Sequence, residues 1–197
     1  MSATYTPFGL KPVYHPSGLV RSLNYTGAYD AAVTFYAGTA VALVNSGTAS
    51  EITVAPNVAA ADNRLIGVFA GVEYTDASGR RTVSKWFGPA LGTATDVVFW
   101  IHQDQEIVYE IQANGSMPDT SVGQEFNLTA NGSGQIIGNG GLGTSTAALD
   151  PTNVATGDQG QVIVVGLGRE LSNAWGDTYT IVQVKLANPQ FAAANVE

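Results

Sequence analysis

The sequence predicts an all-β protein, an antiparallel β-sandwich or barrel of about ten strands. Three observations carry that prediction. From Glu106 to Gln112, Ile107, Tyr109 and Ile111 alternate with Glu106, Glu110 and Gln112, the period of a strand with one buried face. Just before it, Val97–Ile101 is apolar throughout, as in a strand covered on both faces. Charged residues are only 12% of the chain and glycines number 23, a balance suited to short strands and turns rather than to solvated helices.

Taken in order, residues 1–18 read as an extended arm outside the β-domain. Pro7, Pro12 and Pro16 oppose helix and central strand, while Phe8, Leu10, Val13 and Tyr14 offer apolar anchors. A single β-domain is expected over 19–186. Its strands are assigned to 19–29, 35–44, 51–55, 64–74 and 80–87, then to the central pair, taken as a hairpin across His102–Gln105. Further strands are assigned to 123–130, 160–167 and 177–186. Gly67 and Gly71 inside the fourth run mark a bulge or a close backbone crossing. One helical turn is weighed at 57–63. Residues 131–146 read as a loop or a loosely held hairpin, 149–159 as a second polar connection, and 187–197 as a short tail.

The 197 residues contain no cysteine, which excludes disulfides, thiol catalysis and cysteine-ligated metal. The N-terminus has neither the basic nor the apolar region of a signal peptide, and no run approaches the ~18 apolar residues of a membrane span. Synthesis in a cytoplasm and no membrane partner are the expectation. The net charge of −8 is uneven: residues 86–168 hold eight acids and no Lys or Arg. That argues against binding a phosphate backbone, which requires clustered bases. This half, including Glu106 and Glu110, is assigned to solvent, and the less acidic first half to a partner.

Chemistry is not apparent. Gly138–Gly143 matches the dinucleotide-binding glycine pattern, but Thr144–Pro151 is too short and too soon broken to supply the helix that motif needs. Val162–Gly168 imitates the same strand and turn, and Trp175-Gly176 interrupts any helix there. His15 and His102 have no partner at metal-ligand spacing. Glu106 and Glu110 share a strand face but stand roughly 13 Å apart, beyond the ~5–9.5 Å of glycosidase carboxylates. The expectation is no enzyme, no catalytic residue, no cofactor and no metal.

Four stretches taken together carry a resemblance: Pro7–Gly18, Ile66–Gly79, Ile107–Gly115, and Asn173-Ala-Trp-Gly-Asp177 before the terminal strand. In that order they are similar to capsid decoration (cement) proteins of tailed bacteriophages; residues 131–160 lie outside the likeness. The resemblance implies a non-enzymatic virion protein on the capsid exterior that binds the major capsid protein and bridges neighbouring capsomers. It also implies a homo-oligomer, with a trimer favoured. Phe8, Gly9, Pro12, Gly67, Gly71, Trp175 and Gly176 are the positions it marks as structural or interfacial. The interface residues expected are Phe8, Leu10, Lys11, Tyr14 and Trp175, with Phe8 and Tyr14 buried against the shell or a neighbouring subunit. Deleting residues 2–16 is then expected to abolish capsid binding and leave the β-domain folded. The alternative is a carbohydrate-binding or adhesion module on the virion that uses Trp86, Trp100 or, best, Trp175 as a stacking platform.

Overall fold

A computed structural model describes residues 2–45, 52–56, 64–129, 138–139, 143–153 and 159–190. The helical turn weighed at 57–63 and the tail beyond 190 lie outside them, as does most of the 131–142 glycine-rich stretch. Among the described residues the chain is all-β, built on antiparallel sheets with two single 3-10 turns and no α-helix.

The first sheet joins β1 (Lys11–Tyr14) to β10 (Val108–Gln112), then β16 (Ile181–Leu186), β15 (Val162–Leu167), β11 (Glu125–Thr129) and β14 (Ala148–Asn153). Beyond β10 the chain returns to β14. The Asn114 N–H donates to Leu149 O at 2.9 Å and Ala113 bridges Leu149 in parallel, so the sheet closes on itself there. Its interior holds Tyr109, Ile111, Phe126, Leu128, Val164 and Val184, all buried.

The second sheet runs β2 (Leu23–Tyr25), β9 (Thr95–His102), β6 (Gly67–Thr75), β4 (Ala40–Asn45) and β5 (Ile52–Pro56), with β7 (Arg81–Ser84) also on β6. A two-stranded ladder of β3 (Phe35–Tyr36) and β8 (Trp86–Phe87) accompanies it. Here the core is aromatic. The Phe99 ring lies 5.0 Å from Phe35, 5.4 Å from Phe69 and 5.5 Å from Phe87 between centroids, and Tyr29 adds an edge-on contact to Phe87 at 5.2 Å. Tilted and edge-to-face pairs of this kind each add about 0.5–1.5 kcal/mol beyond area burial. A second small ladder pairs β12 (Gly138–Asn139) with β13 (Thr144–Ser145). The residues after the glycine pattern are therefore strand, not the helix that a dinucleotide site requires.

The structure corrects four sequence expectations. The central stretch is not a hairpin: β9 pairs with β2 and β6, whereas β10 pairs with β1 and β16, so 95–112 passes from one sheet to the other. The arm is not outside the domain. Lys11–Tyr14 is an edge strand, in register Lys11↔Glu110 and Pro12↔Tyr109, and an edge is where a strand tolerates proline. The same reason hid β14, assigned as a connection because of Asp150-Pro151. Finally, the start of the tail is docked: Gln190 Nε2 donates to Leu43 O at 2.7 Å, and its N–H to Leu65 O at 2.8 Å.

Candidate docking surface

Residues 11–25 run beside 95–112 as one ribbon along both sheets. β1 is the last strand of the first sheet and β2 the last of the second, so no other described strand pairs with their outer edges. Two contacts fasten the connection between them to the β9–β10 crossover. His15 Nε2 lies 3.1 Å from Asp104 Oδ2, and His102 Nδ1 lies 3.4 Å from Arg21 O. The Glu106 N–H, donating to Asp104 Oδ1 at 2.9 Å, and then His15 hold the Asp104 carboxyl below its ordinary range. Burial likewise lowers the His102 imidazole below its ordinary value, which for a base favours the neutral form.

N-terminal to β1 the chain is stitched onto its own barrel. Ser2 Oγ donates to Ser172 O at 2.6 Å and meets Asp177 Oδ2 at 2.5 Å. Gln112, wholly buried, accepts from the Thr6 N–H at 2.8 Å and donates to Thr4 O at 2.9 Å. Gly9 has φ +72°, and a Cβ there would stand 2.6 Å from Gly38 O. Only glycine permits that approach, and it brings Leu10 into the barrel core at 1% exposure.

The five expected interface residues therefore separate. Leu10 is corrected from surface anchor to core residue. Phe8 is half-buried within its own subunit, and Trp175 is half-buried and packs against the barrel core. Lys11 is exposed, and Tyr14 stands 56% exposed at the end of β1. The neighbours that sequence reasoning missed are Leu19 at 52% and Leu23 at 53%. Nine large apolar side chains are exposed among the described residues, and five of them, Tyr5, Val13, Tyr14, Leu19 and Leu23, fall in the first 23 positions. Apolar side chains concentrated on unpaired strand edges are a surface prepared for another chain. Their signal in the sequence was weak, because Leu19 and Leu23 fall within a run assigned as one strand, 19–29.

Charge follows the same ribbon. The ion pairs among the described residues are His15–Asp104, Arg80–Asp76, Arg81–Glu73 and Lys185–Glu106; Lys11 and Arg21 enter none of them. The acidic segment is not a uniform solvated face. Glu110, assigned to solvent from its alternation, is 6% exposed and accepts from the Arg169 N–H at 3.2 Å. Glu125 accepts from the Gly160 N–H at 2.7 Å. The segment also supplies β9, β10, β11, β14 and β15, so it is scaffold as well as surface.

Of the proposed stacking platforms, Trp86, Trp100 and Trp175 are each half-buried. Trp100 lies opposite Gly71 and Asn24 on the second sheet, on the face opposite that of Phe99 and Ile101. Among the described residues no group of three or more His, Asp or Glu side chains is arranged to hold a metal ion, and no helix is long and apolar enough to cross a membrane. Comparisons of the chain with protein-family models, with curated proteins and with solved structures find no match.

Proposed function

We propose that this chain is a non-enzymatic structural protein of a tailed-bacteriophage virion, made in the host cytoplasm and placed on the capsid exterior. Its partner is the major capsid protein, and it stabilises the shell by bridging neighbouring capsomers as a homo-oligomer, a trimer in the favoured form. Neither nucleic acid nor membrane takes part in the contact.

The observation that carries this reading is the ribbon 11–23. It presents Val13, Tyr14, Leu19 and Leu23 outward beside Lys11 and Arg21, along the free edges of two sheets. A free edge offers backbone donors and acceptors to an added strand, and the flanking side chains set which strand fits. A rigid all-β body carrying such an edge suits a clamp, because modest contacts repeated over a lattice combine into firm attachment. The resemblance of Pro7–Gly18 to decoration proteins points to the same stretch.

The test is cosedimentation of the purified protein with decoration-free capsids. Tyr14→Asp, Leu19→Asp and Arg21→Glu, each on an exposed side chain, are expected to retain the fold by circular dichroism and lose capsid binding. Undiminished binding of the triple variant would overturn the assignment. These substitutions replace the deletion of 2–16, which would remove β1 and Leu10 and so unfold part of the barrel.

A further inference from the structure

The end of the second sheet remote from the β9–β10 crossover carries two depressions that meet at Ala94. The larger, about 510 Å³, is lined by Thr26, Tyr29, Arg81, Thr95, Asp96 and Val97 among others. The smaller, about 250 Å³, is lined by Tyr74, Asp76, Ser78, Leu91, Thr93 and Ala94 among others. Together they make a shallow groove across the start of β9, of the volume that small-ligand sites occupy (roughly 300–1,000 Å³).

From these residues we infer that this groove is a binding site for a neutral oligosaccharide. The chemistry selects the class. The lining brings the hydroxyl-bearing Thr26, Thr93, Thr95 and Ser78 together with Asp96, so donors and acceptors are both present, as a polyol requires. Ala94, Leu91 and Val97 give an apolar floor for the C–H faces of sugar rings. A polyanion is disfavoured: the lining includes Asp76 and Asp96, and the one guanidinium of the larger depression, Arg81, is engaged, its Nε donating to Glu73 Oε1 at 2.7 Å. A cation is disfavoured because Asp76 is already bound by Arg80 and by the Ser78 N–H.

The groove is also held in shape. Asp96 has φ +51°, the one described non-glycine residue in the left-handed region. Arg81 Nη1 donates to Asp96 O at 2.7 Å and Thr75 Oγ1 to Asp96 Oδ2 at 3.3 Å. A conformation of this kind persists where its surroundings over-determine it, and such places gather at ligand sites. Rigid polar groups bind with less entropic loss than mobile ones.

The site is independent of the ribbon 11–23, and its test can fail without touching the capsid reading. Full-length protein is titrated calorimetrically with maltohexaose, cellohexaose and chitohexaose, and with heparin hexasaccharide as the anionic control. Binding to at least one neutral oligomer is expected. Asp96→Asn, which keeps the left-handed backbone that asparagine tolerates, is expected to weaken it about tenfold, or ~1.4 kcal/mol. Ala94→Trp, which fills the junction, is expected to abolish it, with the fold retained by circular dichroism and capsid binding unchanged in both. The inference is overturned by no binding to any neutral oligomer, by preference for heparin, or by binding that both variants retain. It is overturned equally if Trp175→Ala alone removes the signal.

Discussion

Replacing Leu10 by alanine separates an arm that belongs to the fold from one that hangs outside it. Leu10 is buried within the barrel core, and its surroundings cannot collapse freely onto the space left behind. The chain is pinned on both sides, by Gly9 N–H to Ala147 O at 3.2 Å and Leu10 N–H to Gly38 O at 2.9 Å. Buried Leu→Ala substitutions cost about 2–5 kcal/mol, the higher values where relaxation is limited. We therefore expect a loss of ~3 kcal/mol. For a chain of this length that lowers the thermal midpoint by roughly 6–12 °C. Urea unfolding is the assay, with the midpoint moved and the slope unchanged. Tyr14→Ser, four residues on but exposed, serves as the control and is expected to shift stability by less than ~0.5 kcal/mol. A Leu10→Ala loss as small as that of the control would refute the placement of the arm in the core.

Two further predictions concern the scaffold. A Cβ on Gly67 would stand 2.1 Å from His102 O, a contact with backbone that no side-chain motion relieves; Gly67→Ala is expected to cost ~2–3 kcal/mol by chemical denaturation. His102 is held below its ordinary value of 6.5 by burial. The unfolded chain then takes up a proton that the folded one does not, so stability is full above that value and falls as pH drops through it. His102→Gln is expected to flatten the decline in thermal midpoint between about pH 7 and 5, and an unchanged slope would remove His102 as its source. Asp104, also depressed, contributes stability that is lost only in the more acidic range below the ordinary aspartate value of 3.8.

Much of the fold was legible because burial writes itself into alternation. Ile107, Tyr109 and Ile111 are buried where their spacing placed them, the run at 64–74 covers all of β6 but its last residue, and the run at 177–186 contains β16. What the pattern concealed was the second layer of cover. Glu110 and Gln112 alternate as though solvated, yet Arg169 and residues 4–6 of the arm lie over them. Composition cannot report such cover, because the covering groups come from distant parts of the chain. Prolines misled for a related reason: Pro12 and Pro151 sit in edge or closing strands, where the missing N–H is not needed. The break within 35–44 was likewise hidden, although Gly38, at φ +88° between β3 and β4, marks it. Of the docking surface, Tyr14 and Lys11 were readable from an arm rich in apolar anchors and bases. Leu19 and Leu23 were not, since an exposed leucine on an edge strand has the same spacing as a buried one.

The ribbon is proposed as the part of the molecule that meets the capsid. Quantifying the protein on purified virions, wild type against the Tyr14→Asp, Leu19→Asp, Arg21→Glu variant, tests it most directly. The prediction is a stoichiometry on the order of hundreds of copies per particle for the wild type, as lattice-wide clamping requires, and near-complete loss for a variant that still folds. Wild-type protein absent from particles, or a variant retained at the full copy number, would contradict it.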